Sequence, residues 1–229
     1  YTKAIEIDSN IAVAYNNRGE SKHDLEDFKG AIEDFTQAIK LDPNYTEAFN
    51  NRGLSKRKRN DYKGAIIDYN RAIEIDPFYS NAYINLGVAK KEMNDIEGAM
   101  LDFTRAIEVD PYCSEAYFQL GYQRYLLKDY PVALNNCNKA IKINSLFVNA
   151  LLCRAFIKEK MNDYLAALAD YNIAIEIDSS SFMALNNRGL ARKILKDYKG
   201  AIEDFTKALK IDPNHTNALI NRGNVRKEL

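Results

Sequence analysis

The sequence predicts an all-α fold, a solenoid of antiparallel helix pairs, and three observations support this prediction. Several residue types recur with a single 34-residue period along the 229-residue chain. Within each period, apolar and small residues follow helical spacing in two separate stretches. A turn signal, most often Asp-Pro, closes the period because proline disfavours helix at the residue before it. No single helix pair can bury its own apolar stripe, so successive pairs must stack.

The period is clearest in glycine and alanine. Two alanine series run in register with the glycines, starting at Ala4 and Ala31. Glycine occupies one lattice position in six of seven periods: Gly19, Gly53, Gly87, Gly121, Gly189 and Gly223, with Ala155 at the remaining one. With this glycine as the eighth position, the complete repeats span residues 12–45, 46–79, 80–113, 114–147, 148–181 and 182–215. Residues 1–11 and 216–229 are partial repeats, so we expect a fragment of something longer.

Each complete repeat predicts two helices. The first has small or apolar residues at the fourth and eighth positions, such as Tyr83 and Gly87. The second has them at positions 20, 21, 24, 27 and 28, a stripe on one helical face. Hydroxyl residues after the Asp-Pro turn are candidate N-caps for the next first helix. These are Thr46, Ser80, Ser114 and Thr216.

This 34-residue pattern of glycine, two alanines and a closing proline resembles the tetratricopeptide repeat. The resemblance covers the whole chain and implies one domain, residues 1–229, wound as a right-handed superhelix. It also implies that the first helices line a concave groove. The expected function is therefore that of a non-catalytic interaction module or scaffold that binds an extended peptide or partner segment in this groove.

A series of amide side chains recurs at the sixth position, which the helical wheel places on the groove face. An amide can both donate to and accept from a peptide backbone, so a ladder of them suits an extended chain. The ladder consists of Asn17, Asn51, Asn85, Asn187 and Asn221, with Gln119 and Cys153 at the other nodes. It resembles the asparagine ladder in the superhelix of O-linked N-acetylglucosamine transferase. The alternatives are a tolerated polar residue on an exposed face, or copying by repeat duplication.

The middle repeats place apolar residues on the same face. We expect Phe118, Tyr122 and Phe156 to form side-chain pockets, as part of a stripe that also includes Ile84, Val88, Tyr125, Leu126 and Leu152. Contiguous exposed apolar surface often marks a partner site. A rotated packing register, or a covering segment outside this sequence, would explain the stripe equally well.

Basic residues concentrate on the first helices. Arg57 and Lys91, at position 12, are expected groove cations that would favour an acidic partner. The cations at positions 7 and 11 face inward, where an unpaired charge is costly. Aspartates at position 23 of the second helices are their expected partners in an interhelical charge network; a ligand role is the alternative. The lysine and asparagine pair of the co-chaperone carboxylate clamp is absent, which disfavours chaperone C-termini as ligands.

Composition excludes several function classes. Lysine plus arginine equals aspartate plus glutamate, 32 each, so neither nucleic acid nor membrane is an expected partner. His23 and His215 lack metal-ligand spacing, Cys113, Cys137 and Cys153 suit reduced structural thiols, and no cofactor is expected. We expect a cytoplasmic protein that is not an enzyme. One alternative is the substrate-recognition arm of a larger enzyme such as a glycosyltransferase, and another is an RNA-binding helical repeat.

The partial repeats at the two ends carry complementary apolar stripes. Tyr1, Ala4 and Ile5 continue the stripe of a second helix, and residues 216–229 form a first helix without its partner. Solenoids normally finish with polar capping repeats. Because a head-to-tail contact is heterologous, we expect end-to-end self-association into open stacks. The alternative is that the last helix frays or folds back on its own stripe.

Overall fold

The computed structural model describes residues 1–228, and within this range it contains fourteen α-helices and no β-strand. The predicted all-α solenoid of helix pairs is confirmed. The helices are α1 Thr2–Ile7, α2 Ala12–Asp24, α3 Phe28–Leu41, α4 Thr46–Lys58, α5 Tyr62–Ile75, α6 Ser80–Glu92, α7 Ile96–Val109, α8 Ser114–Leu126, α9 Tyr130–Ile143, α10 Val148–Lys160, α11 Tyr164–Ile177, α12 Phe182–Ile194, α13 Tyr198–Ile211 and α14 Thr216–Arg226.

The chain forms two compact units, Tyr1–Ala116 and Tyr117–Leu229. In the first unit α2 packs on α3, α4 on α5 and α6 on α7, and α3 and α5 also pack on the first helix that follows them. In the second unit α10 packs on α11 and α12 on α13, while α9, α11 and α13 pack on the following first helix. First helices also touch one another, α2 with α4, α4 with α6, and α12 with α14. Each unit is therefore a stack of helix pairs.

The recurring glycine marks the point of closest approach within a pair. A Cβ atom added to Gly53 would lie 2.5 Å from the Tyr69 ring, and one added to Gly87 would lie 2.7 Å from the Phe103 ring. Both rings are fully buried. In the repeat where position 24 is Cys137 rather than a ring, a Cβ on Gly121 would have more room, with the Cys137 sulfur nearest at 3.1 Å. The eighth position is small because an aromatic side chain of the second helix lies directly on the first-helix backbone.

The second helices begin with an aspartate N-cap that sequence reasoning missed. The Asp61 side chain accepts a hydrogen bond of 2.9 Å from the Gly64 backbone N–H, and Asp95 does the same for Gly98. An N-cap of this kind typically contributes about 1 kcal/mol. The available signal was the recurring spacing of an aspartate three residues before glycine or alanine: Asp27, Asp61, Asp95, Asp163 and Asp197.

The predicted caps of the first helices were wrong by one residue. Thr46, Ser80 and Thr216 are the first helical residues, and Tyr45, Tyr79 and His215 precede them as N-caps. A side-chain cap requires the non-helical residue before the first turn, and a hydroxyl already inside the helix cannot serve. His215 does cap its helix, because its Nδ1 accepts from the Ala218 N–H at 3.3 Å.

The turn between repeats depends on an aspartate or asparagine more than on proline. The Asp76 carboxylate accepts from the Phe78 N–H at 2.9 Å, in a turn that contains Pro77. Asn144 accepts from the Leu146 N–H at 3.1 Å in a turn that has serine in place of proline. Both second helices end at the same point of the repeat. The short polar side chain, which bonds its own backbone two residues on, fixes the turn in either case.

Overpacking tests the helix contact at the glycine. Gly87→Leu should clash with the Phe103 ring and lower stability by about 1–3 kcal/mol, and Ala99→Leu in the same contact should do likewise. Gly223→Leu is the matched control, because nothing lies within 4 Å of a Cβ there. Its better helix propensity should leave stability unchanged or slightly raised. Urea unfolding followed by circular dichroism measures all three variants, and equal midpoints would contradict the contact.

Candidate functional site

The cations of the first helices pair with buried aspartates of the second helices. Arg52 donates from Nε and Nη2 to the two oxygens of Asp68, at 2.9 and 2.7 Å. Lys56 Nζ lies 2.7 Å from Asp68 Oδ2. Asp68 is only 1% exposed, so two cations neutralise one buried carboxylate. The same cluster recurs at Asp34, Asp170 and Asp204. The predicted interhelical charge network is confirmed, and these cations are committed to the fold.

Two repeats depart from this cluster. Leu86 replaces the arginine in one of them, and Asp102 retains only Lys90, at 2.7 Å. In the next repeat the aspartate itself is replaced by Asn136, whose amide donates to the Val132 carbonyl at 3.0 Å. There Arg124 pairs with Asp129 at 3.4 Å instead. The charge cluster is thus reduced in one repeat and missing in the next.

The two environments shift carboxylate pKa values in opposite directions. Burial would raise the pKa of Asp34, but the hydrogen bonds from Arg18 and Lys22 outweigh burial and hold it below its ordinary value. Burial raises the pKa of Asp102, and the single bond from Lys90 does not compensate. The missing arginine accounts for the difference, because charge-assisted bidentate bonds favour the ionised carboxylate.

The ladder asparagines of the first unit bond to one another between repeats. Asn51 donates from Nδ2 to Asn16 Oδ1 at 3.2 Å and to Glu20 Oε1 at 2.7 Å. Asn85 donates to Asn50 Oδ1 at 2.8 Å, and Asn50 donates to Asn51 Oδ1 at 3.3 Å. Both amide protons of Asn51 are therefore used inside the protein. The ladder links neighbouring first helices, and this reduces what Asn51 offers to a ligand.

The second unit has a shorter ladder. Asn186 donates to Asn187 Oδ1 at 3.1 Å, while the Asn186 oxygen is buried and accepts from no residue in the range 1–228. Asn187 and Asn221 are half-buried. Cys153 interrupts the series; it is buried and packs with Cys137. A hydrogen bond with the Cys137 thiol, together with burial, raises the pKa of Cys153, which keeps it a protonated thiol. The cysteines Cys113, Cys137 and Cys153 are all free thiols.

The two expected groove cations lie next to Glu92. Arg57 donates to Glu92 Oε1 at 3.0 Å across α4 and α6, so its charge is balanced within the protein. Lys91 is half-buried, and burial lowers its pKa although Glu92 opposes the shift. Neither side chain is a fully solvated cation, and the expected preference for acidic partners stays a prediction.

The three aromatic site residues predicted from the sequence come together around one pocket. Phe118, Tyr122 and Phe156 line a cavity of about 200 Å³ in the second unit. The remaining lining residues come from α10 and α12: Asn149, Leu152, Cys153 and Met183. Apart from the Tyr122 hydroxyl and the buried Cys153 thiol, none of the lining side chains is ionisable. The pocket is therefore apolar, with one amide at its edge.

The pocket wall continues as a row of stacked rings. The Phe118 ring centroid lies 5.1 Å from Phe147 and 6.2 Å from Tyr122, and Tyr122 lies 6.2 Å from Tyr125. Such offset and edge contacts hold rings in place. The apolar stripe predicted from the sequence is exposed only in part, because Ile84 and Leu152 are buried while Leu126 is 54% exposed. Part of the stripe is internal packing, and the half-buried rings remain accessible at the pocket.

The first unit contains a polar cleft that the sequence did not indicate. It has a volume of about 380 Å³, with an apolar floor of Phe35 and Leu54. Its polar lining consists of Glu20, His23, Asp24 and Asn51. His23 Nδ1 lies 2.8 Å from Ser55 Oγ, which itself donates to the Asn51 carbonyl, so the ring acts as the donor. His23 thus has a structural role, and no cluster of His, Cys, Asp or Glu in residues 1–228 is suited to a metal ion.

Three models of one repeat family match the sequence. One tetratricopeptide repeat model matches residues 12–45 and 182–215, and a second tetratricopeptide repeat model matches residues 80–113. The third, described as TPR repeat, matches residues 53–94. Together they cover more than half of the chain. No curated protein matches the sequence significantly.

Solved structures share the fold at low sequence identity. The APC/C hetero-tetramer Cut9–Hcn1 matches with a TM-score of 0.84 and 17% identity over 98% of this chain, which spans 44% of that chain. PilF of Pseudomonas aeruginosa matches with a TM-score of 0.81 and 18% identity, covering 95% of this chain and 97% of that one. YrrB, described as a TPR protein with an unusual peptide-binding site, matches with a TM-score of 0.64 and 22% identity. The match covers 85% of this chain and 98% of that one. Within residues 1–228, every helix is too short or too polar to span a membrane.

The charge clusters predict opposite acid sensitivities for two variants. Asp34 stabilises the fold above its unfolded pKa of about 3.9, and this contribution is lost as pH falls through its lower folded pKa. Asp34→Asn removes the loss, so its unfolding temperature should fall less than that of the wild type between about pH 5 and pH 2. The pKa of Asp102 is raised in the folded state, so protonation of Asp102 stabilises the fold as pH falls. The Asp102→Asn variant lacks this contribution, so its unfolding temperature should fall more than that of the wild type over the same pH range.

Thermal unfolding followed by circular dichroism at several pH values measures both effects. Glu203→Gln, on an exposed face of α13, is the control and should parallel the wild type. Identical pH profiles for the Asp34 and Asp102 variants would show that the two carboxylates are equivalent.

Proposed function

Because the chain belongs to the tetratricopeptide repeat family, whose fold is a protein-interaction scaffold, we propose that it binds an extended segment of a partner protein without catalysing a reaction. The observation that supports this function best is the apolar pocket formed by Phe118, Tyr122 and Phe156. Apolar pockets edged by a few polar groups are the usual form of a binding site.

The size of the pocket favours a side chain over a small-molecule ligand. Small-molecule sites usually measure about 300–1,000 Å³, whereas this cavity measures about 200 Å³. Full burial of one large apolar side chain contributes about 1.5–3 kcal/mol. Micromolar affinity requires about 8 kcal/mol, so a bound segment must make further contacts beyond the pocket.

Amides beside the pocket can supply part of the remainder. Asn149 lines the pocket, and Asn187 and Asn221 follow on the next two first helices. A neutral amide bond to a peptide backbone adds about 0.5–1.5 kcal/mol. Asn17 and Asn85 hold the same sixth position of their repeats in the first unit, where Asn51 is largely occupied by Asn16 and Glu20. The likeness of this ladder to that of the glycosyltransferase superhelix stays a hypothesis, and end-to-end self-association stays a prediction.

A random dodecapeptide display library tests the proposal directly. Wild-type protein should enrich peptides with a large apolar residue, and their affinities are measured by fluorescence anisotropy. Met183→Glu places a charge at the pocket edge, where this side chain is 52% exposed, and should weaken binding at least tenfold.

Leu165→Glu is the matched control. Leu165 is also exposed and apolar in the second unit but does not line the pocket, so this variant should bind within twofold of the wild type. Failure to enrich any peptide, or equal binding by the two variants, would refute the proposed pocket.

A further inference from the structure

One carboxylate beside the pocket has no cation to balance it. Glu159 lies on α10 one turn after Phe156 and is half-buried. The nearby Lys158 is committed to Asp170, at 2.8 Å. No lysine or arginine in residues 1–228 forms an ion pair with Glu159. Burial raises the pKa of Glu159, and the neighbouring Tyr171 hydroxyl and the charge of the exposed Lys160 offset this only in part.

A buried hydroxyl faces the same carboxylate. Tyr171 is fully buried, and its hydroxyl makes no well-formed hydrogen bond within residues 1–228, although it lies beside Glu159. The equivalent ring in three other repeats is phenylalanine: Phe35, Phe103 and Phe205. Packing therefore does not require the hydroxyl. A buried polar group is costly unless it is well hydrogen-bonded, so a poorly bonded hydroxyl beside a carboxylate without an ion pair needs an explanation.

The first unit has a similar arrangement in which the carboxylate has a cation, although the tyrosine hydroxyl there also makes no well-formed hydrogen bond. Tyr69 is the other buried tyrosine at this repeat position, and the residues beside its hydroxyl are Arg57 and Glu92. There the carboxylate of Glu92 receives a hydrogen bond of 3.0 Å from Arg57. Beside Tyr171, in contrast, the carboxylate of Glu159 forms no ion pair with an arginine or lysine of residues 1–228. What it lacks is a guanidinium or ammonium group.

We infer that the second unit binds a partner segment in which a lysine or arginine lies next to a large apolar residue. The apolar side chain enters the pocket of Phe118, Tyr122 and Phe156, and the cation pairs with Glu159 while the Tyr171 hydroxyl donates to the same carboxylate. The inference rests on the proposed peptide-binding function and specifies its ligand. It assigns to this unit a basic partner, the opposite of the acidic preference expected from the sequence.

Helix geometry sets the spacing of the two ligand residues. Phe156 and Glu159 are three residues apart, which is about 4.5 Å along α10. An extended peptide advances about 3.3–3.6 Å per residue. The basic residue should therefore lie within one or two positions of the apolar residue. A charge-assisted bond between the cation and Glu159 would be stronger than a neutral one.

Selection with the random dodecapeptide library tests the inference. Peptides enriched by the wild type should carry lysine or arginine within two positions of their apolar anchor. When that basic residue is changed to glutamate, binding measured by fluorescence anisotropy should weaken about tenfold, which corresponds to about 1.4 kcal/mol. Glu159→Lys should reverse the preference, and Glu159→Gln should make the two peptides bind equally.

Two further variants separate a specific role from general effects. Glu176→Lys makes the same charge change at an exposed site on α11 and should leave the preference intact. Tyr171→Phe keeps the buried ring, as Phe205 does in the next repeat, and should reduce the preference without unfolding the chain. Circular dichroism checks that each variant is folded.

The outcomes distinguish this inference from the proposed function. If the wild type enriches peptides that bind in the pocket but show no charge preference, or an acidic one, the basic ligand is refuted and the peptide-binding function stands. If no peptide is enriched, both fall. A preference for basic peptides that survives Glu159→Gln would also overturn the assignment to Glu159.

Discussion

The approach of an aromatic side chain to a bare helix backbone is the constraint on which each helix pair depends. Phe35, Tyr69, Phe103 and Phe205 each lie against a glycine of the partner helix, at a distance that leaves no room for a Cβ without displacement. This contact brings the two helices close enough for the arginine and lysine of the first helix to reach the aspartate of the second. Because the aspartate is almost fully buried, it tolerates its charge only with those cations in place. Packing and electrostatics are therefore coupled at the same point of each repeat.

The same coupling explains why asparagine recurs on the first helices. Once the pairs stack at a fixed spacing, side chains at the fifth and sixth positions of neighbouring first helices come within hydrogen-bond distance. Asn85 then bonds to Asn50, and Asn51 bonds to Asn16. Asparagine is a mediocre helix former, and these bonds give its recurrence a structural reason. Where the ladder is interrupted, at Cys153, the side chain packs in an apolar cluster instead.

The repeat and its helix pairs were predictable because every node of the period experiences the same environment, which selects the same residue type. The charge network was also predictable, because cations that face the interior of a helix pair require anionic partners. Interactions specific to one repeat were not predictable. A helical wheel placed Arg57 on the groove face but could not show that Glu92 of the next repeat would neutralise it. Likewise, Thr46 was wrongly assigned as an N-cap, because sequence periodicity does not locate the start of a helix to within one residue. Thr46 is the first helical residue, and the N-cap is Tyr45. Phe118, Tyr122 and Phe156 do line one cavity, but Leu152 was expected to be exposed and is buried.

The departures from the repeat pattern concentrate in the repeats at 114–147 and 148–181. There Leu120 replaces the paired arginine, Asn136 the buried aspartate and Cys137 the aromatic ring. Each replacement removes a feature that stabilises the other repeats. Glu159 continues the series, because it places an unpaired carboxylate where the neighbouring repeats have basic or aromatic residues. Binding sites commonly sacrifice local stability for a group that only a ligand can satisfy. Phe156 of the pocket and Glu159 lie one turn apart on α10, next to the repeat in which Leu120, Asn136 and Cys137 replace the regular residues, so the proposed site lies where the repeat pattern is interrupted.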